Sequence, residues 1–265
     1  MDEEDRQEGI DPVRNVLSIA SVTFREILRR KLQVSLLLFG ALLILASYIV
    51  SGLTIGEWHR VISDLGLTAM QLIGILVAVF VGSSLVAGDI ERRALLPVVA
   101  KPIARTEYLI GRFLGLVAVL LMNLLTMAAL LGVMLVVDAR SLRPIDAAYL
   151  SAVSLIGVQF VVVGSVAVFF SALTSTTLAA IFTLAIAIAG QLTNDLISLW
   201  KGPASWVPHI LWYLLPNLGA LNANESVIYR TPPPPQVWLA SVYGLLYAGA
   251  ALALASLAFE KRDLR

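Results

Sequence analysis

The residue types that carry most enzyme and metal chemistry are scarce here. There are two histidines, His59 and His209, and no cysteine. Thiolate metal sites and disulfides are therefore excluded, and the H-E-x-x-H pattern of a zinc hydrolase is absent. An intramembrane lipid transferase or protease would need a clustered His/Asp/Ser or paired-acid site. His59, His209, Asp64 and Asp195 are too scattered to suggest one. No G-x-x-x-x-G-K-[ST] loop is present to cradle nucleotide phosphates. Two kinds of candidate remain. The first is a set of uncharged amides in apolar surroundings: Gln71, Asn123, Gln159, Gln191 and Asn194. Such groups hydrogen-bond between helices or line a path for a substrate. Nothing central can titrate or hold an ion, which argues against proton or ion coupling.

The second candidate is the segment Gly88–Arg112, with three acids and five bases in 25 residues. Its charges surround apolar Leu95, Leu96, Val98 and Val99, and Pro97 and Pro102 end short helices and set their direction. An apolar knob between charges of both signs suits a protein groove better than water. The residues expected to make that contact are Asp89, Glu91, Arg92, Arg93, Leu95, Leu96, Lys101, Pro102 and Arg105.

The elements that hold these groups are membrane helices. Hydrophobic residues make up 58% of the chain and charged residues 14%, against about 25% charged in a soluble domain. Residues 147–194 form a run of 48 with no charged residue or histidine. One helix of that length would reach about 72 Å, against a hydrocarbon core of about 30 Å. The run must fold back, and its polar break at Ser171–Thr177 divides it into two helices. Charge-free stretches predict an all-α polytopic protein with six spans: Leu32–Val50, Leu65–Ala87, Phe113–Val137, Ala147–Phe170, Leu178–Asn194 (reaching toward Trp200) and Gln236–Phe259. A re-entrant fifth segment is the alternative. The first apolar stretch is 19 residues long and is followed by further spans. It therefore reads as an uncleaved helix and not as a signal peptide.

Ahead of residues 32–265, which form the membrane domain, residues 1–13 read as a disordered acidic tail. Residues 14–31 read as an amphipathic helix on the cytoplasmic lipid surface, with Leu17, Ala20, Phe24, Leu28 and Lys31 on one face and Ser18, Ser21, Arg25 and Arg29 on the other. With both termini on one side, that side receives 14 Lys and Arg residues and the other side five. This places both termini in the cytoplasm of a multi-pass cell (inner) membrane protein. The loop 200–235 then lies outside. Its His209–Leu221 portion is apolar, broken by Pro216 and too short to span, and is expected in the outer interface. Gly74, Ala78 and Gly82, then Gly111 and Gly115, then Ala251 and Ala255, form small-residue ladders suited to close helix packing within or between subunits.

The mixed-charge segment also carries a resemblance. An acidic start, a short helix, Lys101-Pro-Ile-Ala-Arg105 and Tyr108-Leu-Ile-Gly-Arg112 resemble the loop after the second span of type 2 ABC export permeases. Asp89, Glu91 and Arg92 match the start of that pattern, Lys101, Pro102 and Arg105 its middle, and Gly111 and Arg112 its end. Ala104 stands where that family usually has Ser, and Arg112 where it has Lys. Size and loop style are similar to the small permease of the nitrous oxide reductase maturation system. The resemblance implies an exporter permease with no catalytic residue or cofactor of its own. Two copies would each sit on a cytoplasmic ABC ATPase that binds ATP and Mg, with segment 88–112 as the coupling loop. Beyond the ATPase, the second copy and membrane lipids, an accessory protein on the outer side is a further expected partner, and nucleic acid is not. An intramembrane enzyme or a non-transporting scaffold is the alternative reading.

Overall fold

The computed structural model describes residues 12–51, 58–91, 104–139, 145–193 and 215–260, and no strand occurs among them. The helices are α1 (Pro12–Leu28), α2 (Lys31–Ser51), α3 (Trp58–Ser83), α4 (Ala87–Glu91), α5 (Arg105–Ala139), α6 (Ala147–Leu173), α7 (Thr176–Gln191), α8 (Asn224–Ile228) and α9 (Val237–Glu260), with a 3-10 turn at Gly219–Leu221. Among the described residues, five apolar helical stretches are long enough to cross a membrane: Gln33–Val50, Trp58–Glu91, Arg105–Val137, Ala147–Leu173 and Val237–Glu260. The remaining apolar helix, α7, has 16 residues, about 24 Å, which is less than the hydrocarbon core. Asn194 and the extension toward Trp200 lie outside the described residues. The chain is a multi-pass, all-α membrane protein.

The charge-free run divides where its hydroxyl cluster lies. The backbone N–H of Thr174, the C-cap of α6, donates to the Phe170 carbonyl at 2.9 Å, and α7 begins two residues later. At its other end α6 is capped by Asp146, whose carboxylate accepts from the Tyr149 backbone N–H at 3.0 Å. α6 is apolar on all sides and contacts α3, α5, α7 and α9, as befits a helix surrounded by other helices. Glycine allows these approaches. At Gly74 of α3 a Cβ would meet the Phe160 ring, and at Gly82 it would come within 2.7 Å of the Ala167 Cβ. The α3 ladder therefore packs against α6 of the same subunit.

Several boundaries differ from expectation, among them the start of α3 at Trp58 ahead of Leu65. α1 starts at Pro12, a residue already shaped for a first helical turn, and ends at Leu28 instead of reaching residue 31. α5 begins at Arg105 and not near Phe113, so residues 105–112 are helix instead of loop. At 35 residues α5 is about 52 Å long and exceeds a bilayer core.

α1 has two adjacent apolar stripes. Val16, Ile19, Thr23 and Ile27 lie against the start of α5, where Gly111 and Gly115 leave room. A Cβ at Gly115 would come within 2.6 Å of the Thr23 Cβ and 2.8 Å of the Ala20 carbonyl oxygen. Val13 and Leu17 on the neighbouring stripe are 68% and 60% exposed. Leu17 of the expected amphipathic face is thus open to lipid, while Phe24 and Leu28 of that face pack against the bundle together with the second stripe.

At the far end, residues 215–228 depart from the expected interfacial segment. Leu218, Leu221, Ala223 and Val227 are buried. The Leu218 N–H donates to the Gly190 carbonyl at 3.1 Å, and the Gln159 carboxamide donates to the Leu218 carbonyl at 3.3 Å. Leu218 fits over Gly190, where a Cβ would crowd it and the Pro216 carbonyl, and Leu221 rests against Gly244, where a Cβ would meet Val158. Residues 209–214 lie outside the described residues.

Candidate functional site

One end of the bundle collects Pro12–Leu28, the start of α5, the α3–α4 junction, the α6–α7 turn and the last residues of α9. Between Ser83 and Ala87 the second span breaks into a turn, freeing backbone donors that a helix would have used. The Ser171 hydroxyl fills this gap. It accepts from the Val86 and Ala87 N–H groups at 3.1 and 2.9 Å and donates to the Ser83 carbonyl at 2.7 Å. The turn redirects α4 so that Asp89 enters the interior, only 7% exposed.

Asp89 meets the partners presented by α5. Tyr108 and Arg112 are one helical turn apart and share a face. The Tyr108 hydroxyl and the Arg112 guanidinium both donate to the Asp89 carboxylate. Arg112 Nε also donates to the Tyr108 hydroxyl at 3.1 Å. Its remaining N–H groups reach α1, donating to Glu26 at 2.5 Å and to Thr23 Oγ1 at 3.4 Å. Glu26 in turn accepts from Arg30 at 2.7 Å, and Arg30 donates to Ser84 Oγ at 2.7 Å, closing the circuit on the α3–α4 turn. Two guanidinium and two carboxylate groups balance one another, as groups removed from water require. Partial burial alone would raise the Glu26 carboxyl. The hydrogen bonds and charges of Arg30 and Arg112 outweigh it and hold the group below its ordinary 4.5.

Two further contacts tie this end together. Glu91 accepts from the Thr176 backbone N–H at 3.0 Å and from the Thr176 hydroxyl at 3.2 Å. Arg105 donates to the carbonyls of Phe259 at 3.3 Å and Glu260 at 3.0 Å, at the carboxyl end of α9. Of the expected partner-contact residues, Asp89, Glu91 and Arg105 therefore face other helices of this chain. Arg92, Arg93, Leu95, Leu96, Lys101 and Pro102 lie outside the described residues.

The expected path-lining amides separate. Gln71 and Gln191 line a groove of about 360 Å³ between α3 and α7, together with Thr68, Leu72, Ile75, Leu184 and Ile188. Asn222 is the third carboxamide on its wall, and no charged residue lines it among the described residues. Gln71 also accepts from the Asn224 carboxamide at 3.4 Å. Gln159 is fully buried and holds the Leu218 segment instead. Asn123 is buried within α5, its carboxamide without a partner among the described residues. Asn194 lies outside the described residues.

Sequence reasoning missed Glu26, Thr23, Ser171 and Thr176. Glu26 had a signal: it is the one acid of α1, four residues before Arg30. Ser171 and Thr176 had none beyond membership of the polar turn. The charged junction holds no nucleophile–base pair, and no group of three or more metal-binding side chains occurs among the described residues. What this arrangement does well is fix the positions of α1, α3, α5, α6, α7 and α9 around the short helix α4. A family model described as ABC-2 family transporter protein matches residues 4–264 of the chain. No curated protein matches it significantly.

Proposed function

Because the chain belongs to the ABC-2 family of transporter proteins, a permease family whose members associate with an ABC ATPase, we propose that segment 88–112 is where that ATPase docks and drives transport. The observation behind this reading is the Asp89–Arg112–Glu26 junction. It anchors both ends of the segment, at α4 and α5, and joins them to α1. A push on the intervening residues would reach the α3–α4 turn, α5 and α1 together, because buried charges resist separation.

In this reading ATP and Mg are bound by the partner, and this chain converts its motion into a change at the α3–α7 groove. Described walls of leucine, isoleucine and carboxamides suit an uncharged or amphiphilic substrate moving outward. Two copies of the permease would complete the path.

Co-purification with the ATPase, followed by ATP turnover in liposomes, tests the reading. Replacing Arg92 and Arg93 with Ala should weaken ATPase recovery while leaving membrane insertion intact. Full recovery and unaltered turnover in that variant would remove the segment from the docking role. Binding without any change in transport would favour a scaffold.

A further inference from the structure

We propose that Glu91 is the positioning residue through which the 88–112 segment sets the placement of α7, and with it one wall of the α3–α7 groove. The first observation is a missing cap. Ser175 occupies the N-cap of α7 in extended geometry, yet its side chain makes no capping hydrogen bond. That task falls to Glu91, 85 residues earlier, whose two carboxylate oxygens take the Thr176 N–H and hydroxyl separately. A two-point contact fixes direction as well as distance. A carboxylate at a helix N-terminus also gains from the exposed N–H groups and the helix dipole.

The second observation is that, among the described residues, α7 rests on its neighbours mainly through small side chains, with Ala180 and Leu184 partly buried beside them and Phe182 against Phe170. Its buried positions, Ala179, Thr183, Ala187 and Gly190, form one narrow stripe of small residues, while Ile181 and Ile188 are 55% and 54% exposed. Small side chains on a narrow stripe give weak purchase against neighbouring helices. At the far end the Gly190 carbonyl is fixed by Leu218, so α7 is pinned there and gripped by Glu91 at the other end. Leu184, Ala187, Ile188 and Gln191 face the groove between these two points. Glu91 is the last residue of α4, directly before the proposed docking residues. A displacement of that segment therefore tilts α7 about its Leu218 contact. This rests on the reading above for what moves the segment, and not for the link between Glu91 and the groove.

The absence of cysteine gives a clean background for the test. Ile188→Cys places a label on the groove wall, about 18 Å along the axis from Thr176. In the purified full chain, Glu91→Ala should speed deuterium exchange at residues 176–179 by about tenfold, the loss of one good cap. It should also change the maleimide labelling rate at position 188 by about threefold, the scale of a lost helix-end charge. Glu91→Gln keeps one acceptor and should fall between, and it decides the matter if the alanine variant does not fold. Faster exchange with unchanged labelling would make the contact merely structural and overturn the proposal, as would no change in either. With the ATPase bound, ATP should alter labelling at position 188 in the parent and not in Glu91→Ala. An ATP response that survives the substitution also overturns it. If no ATPase binds, the docking reading fails, and the isolated-chain measurement still decides this one.

Discussion

Arg112 places its guanidinium on the carboxylate of Asp89, 23 residues earlier, with each side chain only 10% exposed. The pair closes the segment between the second and third membrane helices like a clasp. Removing one member leaves the other charge buried without its counter-ion. Asp89→Ala or Arg112→Ala alone should each cost about 3–5 kcal/mol, and the double substitution less than their sum. Thermal unfolding in detergent of the two single variants and the double variant checks this. Strict additivity would mean the charges do not depend on each other.

Glu26 supplies a pH-dependent part of the same junction. Its carboxyl is held below 4.5 by Arg30 and Arg112. A group with a lowered native value stabilises the fold above its unfolded value and loses that effect as pH falls through the native one. The stability gap between the parent and Glu26→Gln should therefore be full at pH 7 and close as the pH drops below about 4.5. Unfolding midpoints for both proteins across that range are the measurement. A gap that stays constant would show the carboxylate is not engaged.

Packing of α1 on α5 depends on two absent side chains. Gly115→Leu would force atoms into Thr23 and the Ala20 carbonyl, at a cost of about 1–3 kcal/mol or detachment of α1. Detachment is visible by trypsin, because Arg25 and Arg29 are exposed on this helix. Cleavage there should accelerate in the variant, and an unchanged pattern would place the helix elsewhere.

Topology can be read with single cysteines. Thr106 lies in the first turn of α5 beside the charged junction, and Thr231 is exposed beyond α8. From the uneven distribution of basic residues, Thr231→Cys should label from outside intact cells and Thr106→Cys only after permeabilisation. Labelling of both from one side would contradict the six-span arrangement.

How far the sequence was readable depends on the distance between partners. The spans were legible because lipid tolerates no charge over some twenty residues, so Asp64, Arg112 and Asp146 bound the charge-free stretches without help from tertiary structure, although α3 and α5 themselves begin earlier, at Trp58 and Arg105. Asp89 and Arg112 were both noticed, within one motif, but their contact depends on the turn at residues 84–86, which in turn needs Ser171 from another helix. Serine in an apolar run looks alike whether it bonds its own helix or a neighbour. The small-residue ladder at Gly111 and Gly115 announced a close approach without naming α1 as the partner. The helix wheel of α1 showed the Leu17–Phe24 stripe and hid the neighbouring one, because Thr23 reads as polar although it is buried to 1%. The Leu218 segment looked interfacial since its fit over Gly190 and Gly244 joins positions far apart in the chain.

The hold of Arg105 on the carbonyls of Phe259 and Glu260 has a practical side. Helix α9 ends against the first turn of α5, so the carboxyl end of that helix is wired to the same spot as the charged segment. A rigid fusion placed right after residue 260 would load that spot mechanically. A small fluorophore on a slack tether there would instead act as a gauge, reporting each displacement of the segment without touching the membrane-buried helices.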